Sequence, residues 1–102
     1  MEIAKVVGTV VSTVKDKKLS GSKLLIVNLV TADGKPTANH VVAVDTVGAG
    51  TGELVIIVRG SSARQAMNMD TVPTDTSIIG IIDTLEYEGN VVFQKYETEK
   101  SK

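Results

Sequence analysis

The chain has 102 residues, and 11 lysine and arginine residues against 12 acidic ones give it a net charge of −1. Such a near-neutral charge gives no field to attract nucleic acid, anionic lipid or an acidic substrate. Because the chain contains no cysteine, disulfides, thiolate nucleophiles and zinc–thiolate clusters are excluded, which agrees with a reducing compartment.

The length predicts a single domain, which we assign to residues 1–97, followed by a charged tail at residues 98–102. The first residues, MEIAKVVGTVV, lack the basic region and the continuous apolar region of a signal peptide. No stretch approaches the roughly 20 apolar residues of a membrane helix. We therefore expect a soluble, cytosolic protein with no membrane partner.

In chain order, segments rich in β-branched residues alternate with turns rich in Gly, Asp, Asn, Ser or Pro. They predict strands over residues 3–14, 23–31, 40–45, 53–59, 77–86 and 90–97, with turns at 15–21, 32–36 and 88–90. One short helix is predicted over residues 61–68, where Ser61 or Ser62 can cap the first amides. If residues 40–59 form one bent strand, this order predicts an all-β, five-stranded OB-like Greek-key barrel.

Several of these strands carry neighbouring apolar residues rather than an alternating pattern. Examples are Val6–Val7, Leu24–Val27 and Leu54–Val58. Since the interior of a small barrel uses only one face of each strand, the other face needs a cover, and a second copy of the chain is the expected one.

The segment DTVGAGTGELVIIV, residues 45–58, resembles a phosphate-binding glycine loop at first sight. A dinucleotide fingerprint requires G-x-G-x-x-G opening a helix, whereas here Gly48 and Gly50 are followed by Glu53 and a strand-like run. The glycines are better explained by positive φ angles or close backbone approach in a tight connection. We therefore predict no cofactor at this loop.

The remaining reactive side chains give no recognisable catalytic or metal site. His40 is the only histidine, and the spacing of Asp45, Asp70, Asp75 and Asp83 matches no metal motif. Ser61 and Ser62 lack the second glycine of a nucleophile elbow. The three aromatic residues all lie in the last sixteen residues, so nucleic-acid binding is disfavoured, although an OB-type binding module for nucleic acid or protein stays as the alternative function.

The chain resembles the pentameric vertex proteins of bacterial microcompartment shells, a family that includes carboxysome and ethanolamine-utilisation vertex proteins. The resemblance covers nearly the whole chain. It lies in the order and spacing of the motifs GTVV (8–11), LSGSKLL (19–25), AVDTVGAGTGE (43–53), GSSAR (60–64), PTD (73–75) and IIGIID (78–83). Thr74 and residues 31–39 depart from the family pattern, which leaves contacts with adjoining shell proteins undefined.

The resemblance implies a non-enzymatic structural protein without a cofactor. It implies a homopentamer that plugs the vertices of a shell tiled by hexameric shell proteins, in the bacterial cytoplasm. It further implies that the glycine-rich loop and the Ser-Ser-Ala-Arg segment lie near subunit contacts or the five-fold axis, with Arg64 paired to Glu53 or Asp83. The candidate contact residues are Gly48, Ala49, Gly50, Gly52, Glu53, Ser61, Ser62, Arg64 and Asp83.

Overall fold

Five strands close into a barrel in the computed structural model, which describes residues 1–12, 21–60 and 75–95. The barrel strands are β1 (Glu2–Val10), β2 (Lys23–Val30), β3 (Pro36–Asp45), β4 (Leu54–Arg59) and β5 (Thr76–Ile81). Around the barrel they follow the order β1-β2-β3-β5-β4, and β1 pairs with both β2 and β4. The predicted small all-β barrel is confirmed.

Two further strands, β6 (Thr84–Tyr87) and β7 (Asn90–Gln94), form a separate antiparallel hairpin. Its turn has φ angles of 52° at Glu88 and 83° at Gly89. Two successive positive φ angles are what a two-residue type I′ hairpin turn requires. The turn predicted at residues 88–90 is therefore confirmed.

Two strand ends differ from the prediction, since β1 ends at Val10, before residues 11 and 12, and β3 begins at Pro36 rather than at residue 40. Two larger features of the predicted strand pattern are also wrong. Residues 40–59 do not form one bent strand, because β3 and β4 are separated by residues 46–53 and have β5 between them in the barrel. Residues 77–86 are split at residues 82–83 into β5 and β6, so the last two strands leave the barrel and pair with each other. The helix predicted over residues 61–68 lies outside the described residues.

The core is formed by aliphatic side chains that point into the barrel from all five strands and from the segment between β3 and β4. Its buried members are Ala4, Val6, Leu25, Val27, Leu29, Ala43, Ala49, Val55, Ile57 and Ile78. Full burial of one Val, Leu or Ile side chain contributes about 1.5–3 kcal/mol. The barrel therefore provides the stability of the fold without a contribution from aromatic packing in this cluster.

β-Bulges explain part of the missing alternation in the sequence. Against β2, Val6 pairs with Val27 and Gly8 with Ile26, so Val7 is the extra residue of β1 and is 43% exposed. Against β4, Ile79 is the extra residue of β5. A bulge changes which face the following residues occupy, so neighbouring apolar residues at these two places do not indicate a strand buried on both faces.

Part of the outer surface is nevertheless apolar. Leu24, Ile26 and Ile56 are only half-buried on the outside of the barrel, and Val42 is 49% exposed. An apolar groove with a volume of about 370 Å³ lies between the barrel and the start of the hairpin. It is lined by Met1, Glu2, Ile3, Ile56, Ile82, Thr84 and Leu85.

Candidate functional site

The segment between β3 and β4, here called the glycine loop (residues 46–53), is organised by the carboxylate of Asp45. The amide of Val47 donates to Asp45 Oδ1 at 3.0 Å, that of Gly48 to Oδ1 at 3.1 Å, and that of Ala49 to Oδ2 at 2.9 Å. An aspartate that ends a strand and accepts nearby amides is a typical turn-forming arrangement. The loop therefore begins as a carboxylate-capped turn.

Lys23 on β2 supports the same turn from the side. Its Nζ lies 4.0 Å from Asp45 Oδ2 and donates to the carbonyl oxygen of Ala49 at 3.0 Å. The Asp45 side chain is 2% exposed, whereas that of Lys23 is 53% exposed. The buried carboxylate thus has three amide donors and an ammonium group nearby, which together offset the cost of burying its charge.

Glu53 performs a similar function at the end of the loop. Its Oε1 accepts the Gly50 amide at 2.6 Å, and its Oε2 lies 2.8 Å from Nζ of Lys95. The Lys95 ammonium makes the largest contribution to holding the pKa of Glu53 below its ordinary value of 4.5, and the Gly50 amide makes the next largest. Both lower the pKa because they stabilise the charged form. This ion pair joins the glycine loop to the residue that follows β7.

The loop is also attached to the barrel through its backbone. The amide of Gly52 donates to the carbonyl oxygen of Val6 at 2.8 Å, and the amide of Val6 donates to that of Glu53 at 2.9 Å. Ala49 is completely buried and belongs to the core cluster. The loop is therefore an extension of the barrel wall.

The three glycines of the loop differ in their backbone geometry. Gly48 has a φ of 79° and Gly52 a φ of 92°, whereas Gly50 has no positive φ. A Cβ atom at Gly48 or Gly52 would meet nothing within 4 Å, and at Gly50 it would lie 3.6 Å from Oε1 of Glu53. The predicted positive φ angles are confirmed at Gly48 and Gly52. Gly50 has no positive φ, so for this residue the alternative, close backbone approach, stays a prediction.

These contacts explain why the loop is unsuited to phosphate. Four successive amides, those of residues 47–50, all donate to side-chain carboxylates of the chain itself. A bound phosphate requires free backbone donors, and the loop offers it carboxylates instead. The absence of the third glycine in the sequence and the geometry of the loop thus lead to the same conclusion.

Among the remaining candidate contact residues, Asp83 is linked to the loop through Lys95, the partner of Glu53. Asp83 lies in the link between β5 and β6, with its side chain exposed and its carbonyl oxygen accepting the Lys95 amide at 2.8 Å. Ser61, Ser62 and Arg64 lie outside the described residues. The expected pairing of Arg64 with Glu53 or Asp83 stays a prediction.

Other side chains considered in the sequence have ordinary surroundings. His40 is exposed, and its Nδ1 lies 3.3 Å from the carbonyl oxygen of Ala38. Within residues 1–12, 21–60 and 75–95, no group of three or more His, Asp or Glu side chains is arranged to hold a metal ion. The same three ranges contain no helix that is long and apolar enough to cross a membrane.

Sequence reasoning missed the parts played by Asp45 and Lys95. An aspartate at the end of a predicted strand, just before Val-Gly-Ala, is a local signal for a capped turn. By contrast, the partner of Glu53 could not be found in the sequence, because Lys95 is brought to it only by the folding of the hairpin.

Known proteins similar to this chain come from bacterial microcompartment shells. Residues 1–83 match the family described as "Ethanolamine utilisation protein EutN/carboxysome". The bacterial microcompartment shell vertex protein EutN of Salmonella typhimurium is 46% identical over 95 residues, which cover 93% of this chain and 96% of that protein. Two solved structures have the same barrel.

The first is CcmL of Nostoc sp. PCC 7120, with 47% sequence identity and a TM-score of 0.85, covering 93% of this chain and 100% of that one. The second is the GrpN pentameric microcompartment shell protein from Rhodospirillum rubrum. It has 49% identity and a TM-score of 0.79, and the match covers 85% of this chain and 99% of that one.

Proposed function

The chain belongs to the EutN/CcmL family, and we propose that it is a structural protein that caps the vertices of a bacterial microcompartment shell as a ring of five copies. The observation that carries this proposal is the match to almost the full length of a pentameric shell protein at 49% identity. A five-fold ring in a sheet of hexameric shell proteins introduces the curvature that closes the shell around its enzymes.

The surface of the barrel supports assembly from identical copies. A cyclic ring has head-to-tail interfaces, in which one patch of a subunit meets a different patch of its neighbour. The exposed side chain of Val42 and the apolar groove beside the hairpin are two such patches on one copy. We propose that neighbouring copies cover them.

The glycine loop is the proposed centre of the subunit contact. Gly48 and Gly52 have open space where a Cβ atom would stand, so the backbone of a neighbouring copy can approach them closely. Glu53 and Asp83 provide carboxylates near this region of the barrel, and Arg64 is the proposed cationic partner from a neighbouring copy or the same one. Ala49 and Gly50 hold the loop in shape, while Ser61 and Ser62 belong to the proposed contact segment around Arg64.

We propose no catalytic role, no cofactor and no nucleic-acid or membrane partner, since the relatives that the chain matches are named as shell vertex proteins. The proposed partners are further copies of the chain and the hexameric shell proteins around each vertex. The proposed location is the shell itself, in the bacterial cytoplasm. Residues 1–97 would form the vertex domain and residues 98–102 a charged tail.

Native mass spectrometry tests the ring. We expect a species with five times the mass of the 10.8 kDa chain, and no retention of single-stranded oligonucleotides. A monomer that binds an oligonucleotide or a peptide would instead support the OB-type binding module and overturn the proposed function.

Closure is tested by producing hexameric shell proteins with and without this protein. We expect closed polyhedral shells when both are present, and sheets, tubes or open shells when the hexamers are alone. If closed shells form equally well in its absence, the vertex role is wrong even if the protein is a pentamer.

A further inference from the structure

Three successive amides of the glycine loop converge on one carboxylate, that of Asp45. Their distances to the carboxylate oxygens are 3.0, 3.1 and 2.9 Å, from Val47, Gly48 and Ala49 respectively. Successive backbone N–H groups next to a residue of positive φ, here Gly48 at 79°, form the concave arrangement that binds anions in many proteins. The loop therefore has the geometry of an anion site that is already filled.

The anion in this site is enclosed. The Asp45 side chain is 2% exposed, so its carboxylate is almost completely removed from water and depends on the protein for its hydrogen bonds. The Lys23 Nζ, 4.0 Å from Oδ2, adds a positive charge on the side of β2. Donors and charge thus favour a negative group at this position.

The site has the size of one carboxylate. The next amide, that of Gly50, is bound separately by Glu53, and Ala49 behind the turn is completely buried. Among the residues that the structure describes, these neighbours therefore close the position to a nucleotide or another large phosphate ester. The class of ligand that fits is a planar, singly charged carboxylate with one carbon atom.

We propose that residues 47–49 form an anion-binding site whose resident ligand is the Asp45 carboxylate, and that free formate occupies it when this side chain is shortened to alanine. The site lies within one copy of the chain, so it exists whether or not five copies assemble. In the native protein Asp45 is a positioning residue, because it fixes the first half of the glycine loop through the backbone.

The substitution Asp45→Ala removes three heavy atoms, the same number that a formate ion contains. It leaves the three amides directed at a vacated position, where each lacks its acceptor. Formate restores an acceptor of the same shape and charge, whereas chloride at the same ionic strength provides a spherical anion that cannot accept through two oxygens. A structural defect of another kind would respond equally to both salts.

The test is a titration of D45A with sodium formate, with sodium chloride at equal ionic strength as reference. We expect the Tm of D45A to rise by about 5 °C or more at formate concentrations well above the dissociation constant. In nitrogen–proton correlation spectra, the amide signals of Val47, Gly48 and Ala49 should return toward their wild-type positions. The wild type should show neither change.

Asp45→Leu is the matched control, because leucine fills the space without a charge and should not respond to formate. If D45A gains no more from formate than from chloride, or if its signals move elsewhere in the chain, the proposal is wrong. If D45A fails to fold in chloride, recovery of the fold in formate alone still supports the proposal, and failure to fold in both salts contradicts it. A wild-type protein that is not pentameric would overturn the proposed function and leave this site unaffected.

Discussion

Gly48 and Gly52 share a backbone conformation that Gly50, midway between them, does not have. Their φ angles of 79° and 92° lie in the left-handed region, where a residue with a Cβ atom costs about 1–2 kcal/mol. We expect Gly48→Ala and Gly52→Ala each to lower the free energy of unfolding by about this amount, measured by urea denaturation at one protein concentration.

Gly50→Ala is the matched control for both substitutions. Its Cβ atom would stand 3.6 Å from Glu53 Oε1, an ordinary van der Waals distance, and alanine reduces the freedom of the unfolded chain. We expect a change of less than about 0.5 kcal/mol. Equal losses at all three positions would contradict the assignment of left-handed geometry to Gly48 and Gly52 alone.

Glu53 makes the stability of the fold dependent on pH. Because the Lys95 ammonium and the Gly50 amide lower its pKa in the folded state below the ordinary 4.5, the charged carboxylate contributes stability at and above neutral pH. This contribution is lost as the pH falls from 4.5 through the lowered pKa.

The substitution Glu53→Gln isolates this contribution. We expect the difference in unfolding free energy between wild type and E53Q to be largest above about pH 5 and to narrow at lower pH, where Glu53 becomes protonated and resembles glutamine. Denaturant titrations from pH 7 to pH 3 measure this difference. A difference that is constant over this range would show that the carboxylate is not held in its charged form by Lys95 and Gly50.

At the scale of elements, the hairpin β6–β7 depends on the barrel for its order. A two-stranded hairpin is marginally stable alone, and the ion pair of Lys95 with Glu53 connects its end to the glycine loop. The turn at Gly34 is also close to the hairpin, since a Cβ atom at Gly34 would stand 3.6 Å from Val92 and 3.9 Å from Leu85. We expect Lys95→Met to increase amide hydrogen exchange in residues 84–94 by about two- to five-fold, the effect of one partly exposed ion pair.

Lys95→Arg is the control for this experiment, since it retains the positive charge and should exchange at nearly the wild-type rate. Exchange should not change in the centre of β2, where its backbone is paired with β1 and β3 on both sides. If K95M and K95R exchange equally fast, the positive charge at this position makes no difference, and the ion pair does not hold the hairpin.

The elements also show how far the sequence can be used to predict this fold. The turns at residues 88–90 and before β3 were predicted correctly, because Gly89 and Gly34 have the positive φ angles that these turns require. The strand pattern was harder to interpret, since the bulges at Val7 and Ile79 each change the alternation by one residue. Bulges are set by pairing with another strand, which no local pattern reveals.

The candidate site was predictable to a similar degree. The sequence excluded a nucleotide loop through Glu53 and the strand that follows it, and the structure adds the reason that the amides are already bound. The sequence could not reveal that the side chain of Asp45 is almost completely buried or that Lys95 reaches Glu53. The first depends on the closure of the barrel and the second on the placement of the hairpin.

At the scale of the whole molecule, the ring depends on contacts between copies. Arg64 is the proposed pairing cation, and a guanidinium group suits a partly buried contact with a carboxylate. We expect Arg64→Glu to raise the protein concentration at which the pentamer dissociates by about tenfold or more, because it replaces attraction with like-charge repulsion. Native mass spectrometry on a dilution series measures this shift.

Lys35→Glu is the control for Arg64→Glu, because it makes the same change of charge in an exposed turn. The ion pair of Lys35 there is local, with its Nζ 3.6 Å from Asp33 Oδ2. We expect the Lys35 variant to dissociate like the wild type. If R64E stays fully pentameric on dilution, Arg64 does not lie at a subunit contact.

The position of β5 in the barrel has a consequence for the synthesis of the chain. β5 is the last barrel strand to be made, yet it lies between β3 and β4. It pairs with β3 in parallel and with β4 in antiparallel orientation. A nascent chain that ends before residue 76 has only an open sheet in the order β3-β2-β1-β4, with two unpaired edges that can join other chains. Each copy therefore completes its barrel only after its fifth strand has left the ribosome, and until then its open sheet edges are exposed to other chains.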